Sequence, residues 1–366
     1  MEKFCLFCGK LPKSKSMEHV IPRWLIELTG EPKRKISLGI NFNKPSEPLR
    51  EYSFNSFRFP SCANCNHKFS ELEDNASLII KSMIAKEPIN SNQISILLDW
   101  LDKVRIGLWL SFLYLDHNPF GIVPNFYISG RIRVADRMVA IYHADNNWHG
   151  INFIGINTPA FWLLPSCFNL VINDIYSFNI SAPFLFSRRI GFPYPKSSFI
   201  LQDKRTLYEI YPGLERFIRP IIRRPFLKPC KEIYQPIFGD NEKVRLSANN
   251  LYDIDYVHKN CSNWEKGIGK IFIQDGSKVR LYPNEKSLDW FHPEVIKREY
   301  LHFNIGLQVF GFQNYLMKLG PSDEKLLKQD RVIFKYQRNL AKEFNNDLIK
   351  DIKLKLRKSQ NRNFIN

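Results

Sequence analysis

The chain has 366 residues, of which 44% are hydrophobic and 14% aromatic, so it holds enough apolar surface for a sizeable core. This excludes an intrinsically disordered protein and makes disulfide staples unnecessary. The formal net charge of +17 favours anionic partners, nucleic acid or an acidic membrane surface. The most apolar run, Ile106 to Leu115, is about half the roughly 20 residues that a membrane-spanning helix needs. The opening MEKFCLFCGK lacks the apolar stretch of a secretory signal, so no membrane association and a cytoplasmic location are expected. In a reducing compartment, closely spaced cysteines suggest metal ligation rather than disulfides.

Taken in chain order, residues 1–86 form a polar, basic, cysteine-bearing segment with loop signals at Gly30-Glu31-Pro32 and from Lys44 to Pro48. Met17 to Ile21 suits a short strand, and Tyr52 to Phe59 has the aromatic enrichment of a second strand, ended by Pro60. Ser61 is the expected N-cap of a helix from Cys62 to about Ala85. Over 87–117, Ile94, Leu97, Leu98, Leu101, Val104, Ile106, Leu108 and Trp109 recur mostly at helical spacing and predict a connecting helix to about Leu115.

Short β-type runs dominate 118–292: Phe126 to Ile128, Met138 to Tyr142, Ile151 to Ile154, and Lys270 to Ile273. The last meets Val279 to Leu281 across Asp275-Gly276-Ser277, a hairpin signal. The proline-rich stretch Pro212 to Pro236 reads as an irregular connection. Residues 293–366 return to a helical, basic pattern in which Val332, Tyr336, Leu340, Phe344 and Leu348 form a stripe suited to docking on the body. There is no internal repeat. The fold class expected is α+β, with a metal-organised N-terminal module, a larger mixed, β-rich region and a helical C-terminus.

The strongest chemical signal is Cys5-x-x-Cys8 followed by Cys62-x-x-Cys65. Each pair places two thiolates near one ion, and four complete the tetrahedral shell of a structural zinc. The 53 residues from Gly9 to Ser61 exceed the about 15 to 20 of a typical four-cysteine pattern, so the loop has room for structure of its own. Inside it lie Glu18 and His19, and directly after the second pair lies Asn66. If zinc pins the module to the helix start, these three can converge. A carboxylate and an amide oxygen would hold a hard cation while a neutral histidine takes a proton from an attacking water.

The sequence CLFCGK, then MEHVIPRWL, then CANCNHKFSELED resembles the HNH endonucleases, over about residues 4 to 75. It is similar in particular to bacterial members with C-x-x-C, E-H-V-x-P-x-W-L and C-x-x-C-N-x-x-x-S-x-L-E. The resemblance implies a ββα-metal fold, His19 as general base, Glu18 and Asn66 as ligands of catalytic magnesium or manganese, and a separate zinc on Cys5, Cys8, Cys62 and Cys65. Asn55 is the nearest candidate for the middle asparagine of the family name, although its distance from Cys62 departs from the family spacing. Glu73, seven residues after Asn66, shares its helix face and is either a further site residue or a solvated carboxylate.

Arg23 and Trp24 could meet a nucleic-acid backbone or serve as a surface charge and a packing ring. His117, His143 and His149 lack ligand spacing with a partner, and Cys167, Cys230 and Cys261 read as small buried hydrophobes. The function expected is hydrolysis of nucleic-acid phosphodiester bonds, DNA first, in phage defence or restriction. A non-catalytic zinc-containing nucleic-acid-binding protein, or a nuclease subunit that works only with a protein partner, is the alternative.

Overall fold

Pro22 sets where the first strand stops. Its φ of −65° and extended ψ place it at a helix N-cap, so the chain leaves strand β1 (Ser16–His19) and enters helix α1 (Arg23–Leu28) instead of continuing to Ile21. The computed structural model describes residues 4–11, 16–30, 33–40, 48–117, 124, 126, 136–145, 148–182, 185, 194–200, 206–211, 226–236, 261–263, 268–276, 278–283, 286–292, 294–318 and 328–362.

Strands β2 (Lys35–Ile40) and β3 (Pro48–Ser53) then pair as an antiparallel hairpin within the long inter-cysteine loop. The single strand expected from Tyr52 to Phe59 is split. Ser53 Oγ accepts the Ser56 backbone N–H at 3.2 Å and stabilises a 3-10 turn, Phe54–Ser56, so Asn55 lies in a turn rather than a strand. Strand β4 (Arg58–Ser61) follows and pairs antiparallel with β1, placing Ser16 opposite Ser61 and His19 opposite Arg58. Helix α2 (Ala63–Ile84) is capped by Cys62 rather than by Ser61, because the Cys62 sulfur accepts the Cys65 N–H at 3.4 Å.

Strand β5 (Ile89–Asn90) leads into helix α3 (Ser91–Leu115), which begins with a reciprocal capping box. Asn90 Oδ1 accepts the Gln93 N–H at 2.9 Å, and Gln93 Oε1 accepts that of Asn90 at 2.8 Å. Every side chain from Trp100 to Leu113 is buried, because α3 is covered on both sides.

One cover is a sheet built from β6 (Asp136–Asp145), β7 (Ile151–Ile154), β8 (Cys167–Ile172), β9 (Ile175–Ala182), β12 (Lys231–Gln235), β15 (Phe272–Asp275) and β16 (Lys278–Leu281). Short helix α4 (Pro159–Leu163) lies between β7 and β8. Hairpins β10 (Tyr194–Ile200) with β11 (Thr206–Tyr211), and β13 (Cys261–Asn263) with β14 (Ile268–Gly269), stand apart from this sheet. Strand β17 (Ser287–Leu288) pairs with β5, and β18 (Ile296–Lys297) joins β6 in parallel. The sheet order is β16-β15-β12-β6-β9-β8-β7.

Alternation along the strands divides the core. Val139, Ile141, Phe168 and Leu170 belong with α3 and the N-terminal module, whereas Met138, Ala140, Phe178 and Ile180 belong with helix α5 (Arg298–Lys318). Helix α6 (Lys328–Arg362) packs outside α5. The chain thus has three layers: the cysteine-bearing module with α3, the sheet, and the C-terminal helices.

Three further expectations change here. Lys231 to Gln235, inside the proline-rich stretch, forms an inner strand bracketed by Pro229 and Pro236; residues 212–225 lie outside the described residues. Phe126 is buried but not in a strand, donating its N–H to the Phe7 carbonyl at 2.7 Å, while Tyr127 and Ile128 lie outside the described residues. The docking stripe on α6 is also shifted. Val332 and Tyr336 are each 68% exposed, while Ala341, Asn345, Leu348 and Ile352 face the body. Asn345 settles this face because its buried amide donates to Gln313 Oε1 at 3.2 Å.

Arg137, fully buried on β6, joins two layers by bonding Asp99 of α3 and Gln235 of β12 and lying 3.4 Å from Asp102. Removing one partner of a buried ionic cluster strands the others without water. Arg137→Met is expected to lower the unfolding free energy by about 3–5 kcal/mol in urea titration. A loss below about 1 kcal/mol, the scale of an exposed pair, would show that Arg137 is not a junction.

Candidate metal centre and active site

Two short pieces of backbone bring the cysteines together. The Cys5–Cys8 turn closes through Gly9 N–H to the Cys5 carbonyl at 3.0 Å, with Gly9 at φ +67°. A side chain at Gly9 would be strained at that φ, and its Cβ would lie 2.8 Å from the Pro124 carbonyl oxygen. Cys62 and Cys65 come from the first turn of α2.

The four sulfurs lie within 4.8 Å of one another, and Cys8 and Cys62 are 3.7 Å apart. A disulfide needs about 2 Å, whereas a zinc ion with sulfurs at about 2.3 Å sets tetrahedral edges of about 3.8 Å. The residues therefore fit a zinc ion. The thiols are coupled to one another: the hydrogen bond with Cys65 holds Cys5 down at about 4 against the effect of burial, and the same contact pushes Cys65 up. Among the described residues, this is the one cluster of three or more cysteine, histidine or acidic side chains close enough to share an ion.

Strand β1 separates its acid from its histidine. Side chains alternate along a strand, so Ser16 and Glu18 share one face while Met17 and His19 share the other. Glu18 is buried opposite Phe59, and its Oε1 lies 2.9 Å from the fully buried Lys103 Nζ of α3. That ammonium also donates to Glu73 Oε1 and to the backbone carbonyls of His19 and Val20, at 3.0 and 3.2 Å. Burial opposes the Lys103 charge, but the carboxylates of Glu73 and Glu18 outweigh it and hold its pKa above the ordinary value. Burial, helped by the Glu18 charge and opposed by Lys103, pushes Glu73 up to about 7.

His19 is half-buried opposite the exposed Arg58, and its buried Nδ1 has no hydrogen-bond partner among the described residues. Burial, followed by the charges of Arg58, Lys103 and Arg23, lowers its pKa to about 4, so the imidazole is neutral at neutral pH. Asn66 lies elsewhere. Its amide donates to Ser16 Oγ at 3.1 Å, at the start of β1 and three residues, about 10 Å, from His19.

The expected convergence of Glu18, His19 and Asn66 is thus replaced by three separate contacts. Glu18 and Glu73 meet at Lys103, His19 meets Arg58, and Asn66 meets Ser16. The Glu18–Asn66 donor pair implied for a catalytic divalent ion does not fit one in this conformation, since the Glu18 carboxylate already faces an ammonium. The Asn55 side chain lies outside the described residues. Lys103 was missed because it is 84 positions from His19, although a lone lysine within WLDKVRIGLWL is a signal of a buried charge with a partner.

The weaker candidates resolve as packing or surface groups. Arg23 is exposed and paired with Glu27 at 2.7 Å, and Trp24 packs on Trp100 with ring centres 5.9 Å apart. His143 and His149 line a cleft of about 430 Å³ beside Asp145 and Asp174. Cys167 is buried and Cys230 half-buried, while the side chain of Cys261 lies outside the described residues. No described helix is long and apolar enough to cross a membrane.

Comparison with family models, curated proteins and solved structures gives no match. The chemistry of the site therefore carries the functional reading.

Two outcomes follow from this geometry. Purified protein should contain zinc by elemental analysis, and Cys62→Ser with Cys65→Ser should lose it together with the hydrogen-exchange protection of β1 and β4. Zinc-free protein that keeps this protection would contradict the assignment. The second outcome concerns pH. His19 falls from 6.5 to about 4 on folding, so its contribution to stability is present above 6.5 and lost as pH falls towards 4. Glu73 rises from 4.5 to about 7, so its contribution is present below 4.5 and lost as pH rises towards 7. The two slopes oppose. Relative to wild type, Glu73→Gln should make stability rise more steeply with pH across this window, and His19→Gln should make it fall. Two variants with the wild-type pH profile would contradict both shifts.

Proposed function

We propose that the N-terminal module is an HNH-type nuclease that hydrolyses nucleic-acid phosphodiester bonds, DNA first, with His19 as general base. The observation that carries this reading is a neutral, half-exposed imidazole beside Arg58 and Arg23, on a strand anchored by the sulfur cluster. The β1–β4 pair followed by α2, with the cysteines at its base, supports the resemblance to the ββα-metal nucleases.

In this reading Arg58 and Arg23 meet a phosphate, and His19 removes a proton from the water that attacks phosphorus. Burial is the largest cause of the low His19 pKa, and the phosphate charge would offset the part that Arg58 and Arg23 add, raising the basicity of His19 towards the working range. Magnesium or manganese is the cofactor that the resemblance implies, and Glu18 is not free to ligate it while Lys103 holds its carboxylate. The larger region would choose the target or bind a protein partner, and phage defence or restriction is the process suggested by the resemblance. The net charge of +17 suits a polyanion.

One contact favours a second reading. Because Lys103 neutralises Glu18, the module could grip nucleic acid without cutting it. The full chain should nick plasmid DNA in magnesium or manganese, and His19→Ala should slow nicking by about a hundredfold or more, the usual scale for loss of a general base. Equal nicking by both proteins would remove His19 from the mechanism. Salt-sensitive DNA binding without nicking by either would establish the non-catalytic reading.

A further inference from the structure

Helix α6 carries more positive charge than its own carboxylates can balance. Its 35 residues hold eleven lysines and arginines against four acids, so about a tenth of the chain supplies seven of the seventeen excess charges. The imbalance is concentrated at one end. Asp347 pairs with Lys350 at 2.8 Å and Asp351 with Lys355 at 2.7 Å, and no acid follows Asp351 in the helix. Lys353, Arg357 and Lys358 are exposed and pair with no carboxylate among the described residues.

Helix stability does not account for this cluster. Cations favour a helix C-terminus, but that effect fades beyond the last turn, and Lys353 lies more than two turns before Arg362. Lys353 and Arg357, four residues apart, repel each other, as do Lys355 and Lys358, three apart.

The body fixes which face these cations leave open. Asn345 lies on Gln313 and Asn346 on Asn314, so α6 runs antiparallel to α5. Ile352 then seats where Gly306 has no side chain, since a Cβ there would lie 2.8 Å from Ile352 Cδ1. With Ile352 turned inward, the helical repeat puts Leu354 near the middle of the open face, Lys353 and Arg357 on one flank and Lys355 and Lys358 on the other. Leu354, 55% exposed, is the one large exposed apolar side chain in these last turns among the described residues. An acidic membrane surface needs a broad apolar face to receive it, and here that face is spent on α5. Two rows of cations along a rod about 10–12 Å across suit a groove edged by phosphates on both sides. The major groove of B-form DNA, about 12 Å wide, admits a helix, whereas that of duplex RNA is too deep and narrow.

We propose that the last three turns of α6 are a duplex-DNA grip, in which Lys353, Arg357 and Lys358 contact phosphates along the major groove. What the grip serves rests on the nuclease reading; its charge chemistry does not.

Fluorescence anisotropy of a labelled DNA duplex over a salt series tests this with the zinc-loaded full chain, without added magnesium or manganese. Lys353→Gln with Arg357→Gln and Lys358→Gln should weaken binding and make the slope of log affinity against log salt shallower by about 2 to 3, close to 0.9 for each lost phosphate contact. Glutamine retains helix propensity, so the circular dichroism of the variant should match wild type. A charge-matched control, Lys81→Gln with Lys286→Gln and Lys318→Gln, removes three exposed cations elsewhere and should keep the wild-type slope. Lys353→Arg with Lys358→Arg should keep it too.

The proposal is overturned if wild type does not bind the duplex, if the α6 variant and the control behave alike, or if the arginine variant loses the slope. Tighter binding, dependent on these three residues, to duplex RNA or to phosphatidylserine vesicles than to the DNA would also overturn it. Plasmid nicking in magnesium separates the two readings. Binding that depends on α6, with no nicking by wild type, would end the nuclease reading and leave the grip standing. His19-dependent nicking by a chain whose α6 variant binds like the control would do the reverse.

Discussion

Four sulfurs within 4.8 Å tie residues 5–8 to the first turn of α2, and this tie governs the N-terminal layer. The 53 residues between the pairs must leave and return to one point, so the two ends of that loop lie side by side. They become β1 and β4. Because β4 runs directly into α2, the pair can present only one face to the helices. Ser16, Glu18 and Phe59 take that face, and the period of two along the strand sends His19 to the other. Neighbours in sequence therefore occupy different surroundings: one is an internal anion held by Lys103, the other a neutral imidazole beside arginines.

Helix α3 makes the module and the sheet one structure. Its buried ions are costly to desolvate, and each is placed where partners from another layer recover that cost. Lys103 reaches β1 and α2, Asp99 and Asp102 reach Arg137 on β6, and Arg105 donates to the Pro165 carbonyl. These ion pairs join it to both layers, and the absence of a side chain at Gly107 lets it approach Val20 closely.

What could be read in the sequence was what depends on short-range spacing. The cysteine pairs, helix α2, helix α3, the β15–β16 hairpin and the run inside β6 all have local periodicity or turn signals. Boundaries were lost where a single residue redirected the chain, as Pro22 does for β1 and Ser53 does before the 3-10 turn. Strand β12 was hidden because prolines flank it on both sides. The composition of the site was partly legible, but its assembly was not. Glu18 and His19 look like partners in a string, whereas the contact that matters to Glu18 comes from Lys103, more than 80 residues away. A similar long-range contact placed Asn66 against Ser16.

The titration of His19 is the most direct measure of this arrangement. Histidine labelled with ¹³C and ¹⁵N reports protonation residue by residue, with His19 assigned by its loss in His19→Gln. A half-buried imidazole beside Arg58 and Arg23 should remain neutral at about pH 5.5, where an unperturbed histidine is mostly charged. Adding a short duplex should raise its pKa from about 4 as phosphate offsets the arginines. A His19 that titrates near 6.5 in the free chain, or whose pKa is unmoved by bound duplex, would contradict the proposed role of His19 as a base beside phosphate.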